Sequence, residues 1–132
     1  MIHQQRVIYG DTDMMGVVYY ANYLRYFEAA RSTWFREVIG RSYRDFEALG
    51  LGSPVAEATC RHRQPSYYED VLEVDARVTE LKRASLRFDY LVARDGAEIA
   101  RGHTVHVCVG PKGRPTRLPS ELRDAIEVEP AP

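Results

Sequence analysis

The sequence predicts an α+β domain in which one antiparallel sheet buries one face on one long central helix. Three observations predict it. From Asn22 to Gly40, the apolar residues Tyr23, Phe27, Ala30, Trp34 and Val38 recur every three or four positions, the spacing of a helical stripe. From Leu72 onward the period changes to two, with Leu72, Val74, Ala76 and Val78 alternating against Glu73, Asp75, Arg77 and Thr79, the pattern of a half-buried strand. Asp95-Gly96 then marks a tight hairpin turn between two more such runs.

Taken in order, Ile2 to Tyr9 reads as a first strand. Asn22 is a good N-cap residue for the long helix. Leu24, Tyr26, Phe35 and Ile39 widen its apolar stripe beyond one face, so other structure is expected to wrap it. Gly40 is a natural stop. A short second helix is expected over Tyr43 to Leu49, ending at Gly50. Val55 to His62 reads as a strand, with Pro65 arguing for an edge or bulge after it. Leu86, Phe88, Tyr90 and Val92 mark another strand, and on the last Val105, Val107 and Val109 point one way. From about residue 111 to 132 the chain is richer in proline and charge, and a less regular tail is expected, its last residues VEPAP frayed. A sheet of this kind has edges. Pairing them between subunits removes that liability, so a dimer at least is expected.

The 132 residues suggest one domain. With 45% hydrophobic residues, the chain has enough apolar side chain for a core without disulfide staples. A net charge of −1 gives no global attraction to nucleic acid or to anionic membranes. Cys60 and Cys108 lack CxxC spacing and read as free buried thiols. The stretch MIHQQRVIYG holds no apolar core of signal-peptide length, and no run approaches the roughly 20 residues of a membrane helix. A cytoplasmic protein without membrane insertion is expected. His103 and His106 are three apart on a predicted strand and so point to opposite faces, a poor metal site. No phosphate-cradling glycine loop, GxSxG elbow or dinucleotide fingerprint is present. No metal and no cofactor are expected.

Residues 9–23 read YGDTDMMGVVYYANY. Two acids and a glycine precede an apolar, tyrosine-rich stretch and then the helix. Asp-Thr-Asp before a helix serves as turn and capping chemistry. The other reading is catalytic. An apolar surround would partly desolvate Asp13 and make it a better base. The unpaired N–H groups of a first helical turn over Val18 to Ala21 would hold the charge that develops on a carbonyl oxygen. One acid and one helix N-terminus suffice to hydrolyse an activated acyl group. Spacing alone leaves both readings open.

This stretch, followed by Arg25-Tyr-Phe-Glu-Ala-Ala-Arg31, resembles the hotdog-fold acyl-CoA thioesterases of the 4-hydroxybenzoyl-CoA thioesterase family, including those encoded with the Tol-Pal system. The similarity continues through Ser53-Pro54-Val55, Tyr68-Glu69-Asp70-Val71-Leu72-Glu73-Val74 and Lys82-Arg83-Ala84-Ser85. It implies a sheet wrapped around the helix. It implies hydrolysis of an acyl-CoA to the free acid and CoA, with no cofactor. It also implies a homodimer, paired into a tetramer, with sites at the dimer interface. By resemblance, Asp13 is the catalytic carboxylate, Gly16 lets the loop turn beside the acyl group, and the backbone N–H near Tyr20 polarises the thioester carbonyl. Tyr9 and Asn22 orient the loop. Ser53 lines the acyl pocket, and Glu28 occupies a helix position that is acidic in relatives. Lys82, Arg83 and Ser85 meet the CoA phosphates.

The chain departs from some relatives at one point. They carry His after Val-Val-Tyr, and here that position is Tyr20. A tyrosine is no base near neutral pH, so the work falls on Asp13 and the backbone donors. Arg61, His62 and Arg63 form a second basic cluster, read as a solvated strand end or as contact for an acidic partner. Three alternatives stand beside acyl-CoA hydrolysis. They are thioester hydrolysis on an acyl-carrier protein, a hotdog dehydratase, and a non-catalytic acyl-thioester binder.

Overall fold

The computed structural model describes residues 1–132. Its sheet has five antiparallel strands: β1 (Ile2–Arg6), β2 (Val55–His62), β3 (Val71–Leu81), β4 (Ser85–Arg94) and β5 (Ala97–Val107). Their spatial order is β1-β3-β4-β5-β2. The long helix α1 (Asn22–Trp34) lies against the sheet, α2 (Tyr43–Glu47) follows it, and α3 (Ser120–Ala125) closes the chain's far end. No helix is long and apolar enough to cross a membrane.

The core forms where the two periods meet. Helix α1 buries Tyr23, Tyr26, Phe27, Ala30 and Trp34. Leu72, Val74, Ala76 and Val78 of β3 and Leu86, Phe88, Tyr90 and Val92 of β4 face them. Phe27 stacks on Tyr90 with ring centroids 4.2 Å apart, and Trp34 meets Phe88 edge-on at 4.9 Å. Such aromatic pairs add about 0.5–1.5 kcal/mol each beyond burial. Asp95 and Gly96 both have positive φ (51° and 82°), as a two-residue hairpin turn between β4 and β5 requires.

Three expectations are corrected. Strand β1 ends at Arg6, and Tyr9–Asp11 form a 3-10 turn. Ala21, not Asn22, is the N-cap of α1. Asn22 is the first helical residue, and its Nδ2 donates to the carbonyl of Asp11 at 2.8 Å. On β5 the valines face outward. Gly102, Thr104, His106 and Cys108 face the core. The register decides this, because Gly102, Thr104 and His106 lie opposite the inward residues Tyr90, Phe88 and Leu86. The tail is tied down as well. Leu118 and Leu122 are buried, and the Glu129 N–H donates to the Val78 carbonyl at 2.9 Å.

Helix α1 continues into one π-helical turn, Phe35–Ile39, and stops at Gly40 with φ 77°. Helix α2 ends at Glu47, slightly short of the expected Leu49. Strand β2 lies at the sheet edge and is exposed along nearly its whole length. Only Cys60 is half-buried there, and Val55 is 48% exposed.

Candidate active site

The two acids of the loop do different things. Asp11 is 3% exposed. Its carboxylate accepts from the Tyr26 hydroxyl at 2.8 Å, from Arg25 at 3.2 Å and from the Ile8 N–H at 3.3 Å. Burial and this carboxylate together push the Tyr26 hydroxyl pKa well above the ordinary tyrosine value. Asp11 is therefore the peg that fastens the loop to α1. Asp13 is half-buried. Its Oδ1 accepts from the Met15 N–H at 2.9 Å, while Oδ2 bonds to no protein group. Gly16, with φ 80°, closes that turn by donating its N–H to the Asp13 carbonyl at 2.9 Å.

The loop hands the chain to the helix with two amides unspent. The Tyr19 N–H donates to the Asp11 carbonyl, and those of Asn22, Tyr23 and Leu24 donate to the carbonyls three residues back. The N–H groups of Tyr20 and Ala21 have no protein acceptor. The Tyr20 side chain is 64% exposed, packed on Tyr19 and edge-on to His62. Tyr9, 78% exposed, leans on Tyr68. Ile8, Met14, Met15 and Tyr67 are exposed around the same loop, an apolar patch of the kind that marks an interface.

Glu28 and Ser53 lie elsewhere, in a cavity of about 230 Å³ between α1, α2, β4, β5 and the tail. Phe35, Phe46, Leu86 and Phe88 give it apolar walls, and no residue of the acidic loop lines it. A polar chain that the sequence reading missed links its lining residues Arg31, His106 and Ser53 through the buried Tyr90 and Thr104. Arg31 donates to the Tyr90 hydroxyl at 3.2 Å. Tyr90 meets Thr104 at 2.6 Å, Thr104 meets His106 Nε2 at 2.8 Å, and His106 Nδ1 meets the Ser53 carbonyl at 3.4 Å. Burial, with help from the Arg31 charge, pushes the His106 pKa down to about 4. The imidazole is neutral at pH 7, so Nδ1 carries the proton toward Ser53 and Nε2 accepts from Thr104. The inward period of β4 and β5 placed Tyr90, Thr104 and His106 on one face. Only their polarity hinted at a network.

Lys82, Arg83 and Ser85 occupy the β3–β4 turn, where the Lys82 N–H donates to the Ser85 carbonyl at 2.8 Å. Lys82 Nζ lies 3.2 Å from Glu80, both exposed. The Arg83 side chain is solvent-facing, while its carbonyl accepts from the Leu118 N–H. In the other basic cluster, Arg63 pairs with Glu98 at 3.0 Å and His62 packs on the Tyr23 ring at 5.2 Å. One protomer thus distributes the expected residues over three places: the loop, the cavity and the turn.

A single antiparallel sheet laid over one long helix, with a carboxylate loop at the helix N-terminus, defines the hotdog class of thioester-handling enzymes. Residues 7–126 match the Thioesterase-like superfamily, and the chain belongs to that family as a thioester hydrolase. It is 33% identical to a 1,4-dihydroxy-2-naphthoyl-CoA hydrolase of Synechococcus elongatus, over 94% of this chain and 93% of that one. It is 31% identical to the acyl-CoA thioesterase YbgC of Haemophilus influenzae, over 92% and 90%. A crystal structure of a hypothetical protein from Aquifex aeolicus superposes with a TM-score of 0.92 at 32% identity, covering 96% of this chain and 99% of that one.

Proposed function

We propose that this protein hydrolyses acyl-CoA thioesters, with Asp13 as the catalytic carboxylate and the Tyr20 and Ala21 amides as oxyanion donors. One observation carries the reading. Asp13 keeps a free carboxylate oxygen on the same short loop that leaves two helix-start N–H groups without acceptors. The free oxygen either takes a proton from water or attacks the carbonyl to form a mixed anhydride that water then opens. The amides stabilise the oxyanion of either tetrahedral intermediate. Its collapse expels CoA as the thiolate, a leaving group good enough to need no metal. Gly16 gives the acyl group close access to the loop.

Lys82 and Arg83 meet the CoA phosphates in this reading. The exposed Lys82–Glu80 pair is worth little in water and exchanges readily for a phosphate. Ser85 supports that turn. The scatter of the groups within one protomer, the exposed β2 edge and the apolar patch around the loop together support a homodimer. A second copy would bring its cavity, with Glu28 and Ser53, to the Asp13 loop. Tyr9 and Asn22 hold the loop, Asn22 through its bond to Asp11.

The test is thiol release from short, long and aromatic acyl-CoAs by wild type and Asp13→Asn. Turnover of one class, lost at least 100-fold in a variant that melts like wild type, is expected. Full activity in Asp13→Asn would sink the assignment. Turnover only of acyl-carrier-protein thioesters would move the substrate to the carrier.

A further inference from the structure

We propose that the cavity beneath α1 is a subsite for an acyl group ending in an anion, with Arg31 as the specificity-determining residue. The proposal rests on the thioester-hydrolase reading and names the substrate class for it: short ω-carboxyacyl thioesters.

Arg31 is half-buried and lines an otherwise largely apolar cavity. No carboxylate of the protomer lies within ion-pairing distance of it. Glu28, one turn earlier on the same helix, lines the same cavity but is exposed and forms no ion pair with Arg31. A guanidinium has five N–H donors, and only one bond to a protein group is made, to Tyr90. The rest of that polar chain is already satisfied. Tyr90 is spent on Thr104, Thr104 on His106, and His106 on the Ser53 carbonyl. Arg31 is therefore the one charged group of the chain with donors to give.

A partly desolvated cation with no ion-pair partner is costly, and a ligand carboxylate answers that cost with a two-pronged bond. A hydroxyl would satisfy a donor but not the charge. His106, the other basic group beside Arg31, is neutral and adds no second positive charge. The walls of Phe35, Phe46 and Phe88 suit the methylenes in between. At about 230 Å³, the space is smaller than the roughly 300–1,000 Å³ of pockets for larger ligands, so the chain is short.

The experiment compares adipoyl-CoA with hexanoyl-CoA, which has the same six carbons without the carboxylate, for wild type, Arg31→Gln and Arg31→Lys. Wild type should favour adipoyl-CoA at least tenfold in kcat/KM. Arg31→Gln should cut adipoyl-CoA turnover about 10- to 100-fold, as expected for a charged hydrogen bond, and change hexanoyl-CoA less than about threefold. Arg31→Lys should restore part of the preference. A wild-type preference for hexanoyl-CoA, or equal losses on both substrates, overturns the subsite. Equal losses with a changed oligomeric mass would assign Arg31 to a contact between copies. Calorimetry with free adipate and with 1-hexanol, which has the six carbons and no carboxylate, separates this proposal from the one it rests on. Arg31-dependent adipate binding without cleavage of any thioester keeps the subsite and removes the hydrolase reading. Cleavage without any adipate advantage does the reverse.

Discussion

The Tyr26 hydroxyl donates to Oδ2 of Asp11 at 2.8 Å, joining the second turn of the long helix to the first acid of the loop. This contact separates two carboxylates that the sequence presents as equals. Asp11 is wholly engaged inside the fold, and Asp13 keeps an oxygen for other work. Asp11→Ala should cost about 3 kcal/mol, because it strands the Tyr26 hydroxyl and removes a charged acceptor. Tyr26→Phe should cost about 1–3 kcal/mol, since Arg25 and the Ile8 N–H still hold Asp11. Urea midpoints at constant m-value measure both. An Asp11→Ala variant as stable as wild type would remove Asp11 from its role as peg.

Gly102 faces the ring of Phe27 across the inside of the sheet. A Cβ there would stand 2.2 Å from the Thr59 carbonyl and 2.8 Å from Phe27 Cε2. The Thr59 backbone cannot yield without moving β2 off β5. Gly102→Ala should therefore destabilise the protein by about 3 kcal/mol or more, the upper end of overpacking costs. Thermal melting would show it, and a loss below about 1 kcal/mol would mean that β2 shifts easily.

The acid limb of stability should carry the signature of His106. Its folded pKa is about 4, below the ordinary unfolded value of about 6.5. The unfolded chain therefore binds the proton first as pH falls. The contribution is whole above pH 6.5 and is lost progressively down to about pH 4, amounting to roughly 3 kcal/mol. Asp89 adds loss in the same direction. Burial raises its pKa, but Arg87 and Thr79 outweigh that and hold it below the usual carboxylate value. Urea midpoints from pH 7.5 to 4 should fall less steeply in His106→Gln than in wild type. Parallel slopes would show that His106 takes its proton as easily folded as unfolded.

These contacts also mark how far the sequence could be read. The inward faces of β3 and β4 were legible because every second residue is apolar. The β5 face was not, because its valines face outward while Gly102, Thr104 and His106 face in. Burial there is set by the register against β4 and by the close approach of Phe27, both properties of the folded pair. The motif singles out the Asp13 loop in the sequence. Asp11, two residues before Asp13, gave no local sign that Tyr26, 15 residues on in another element, would claim it. Arg31 closed the recognised motif, yet its role depends on a cavity lined in part by β4 and β5. Asn22 carried the right chemistry for an N-cap, but its side chain was taken by the Asp11 carbonyl.

The β2 edge makes the last prediction. Strand β2, Val55 to His62, pairs with β5 on one side only, and the alternative to a second copy is a long open edge, which folded proteins avoid. Charging that edge should block pairing without disturbing the core, because Val55 and Ala58 are both exposed. Sedimentation should give wild type a mass of at least twice the 15.1 kDa chain, and Val55→Lys with Ala58→Lys the mass of a single chain. Thiol release should fall with the loss of the dimer, because Asp13 and the cavity with Glu28 and Ser53 occupy separate places in one protomer. A monomeric variant that keeps wild-type turnover would show that one chain assembles a whole site, and would return the scattered groups to a single-protomer explanation.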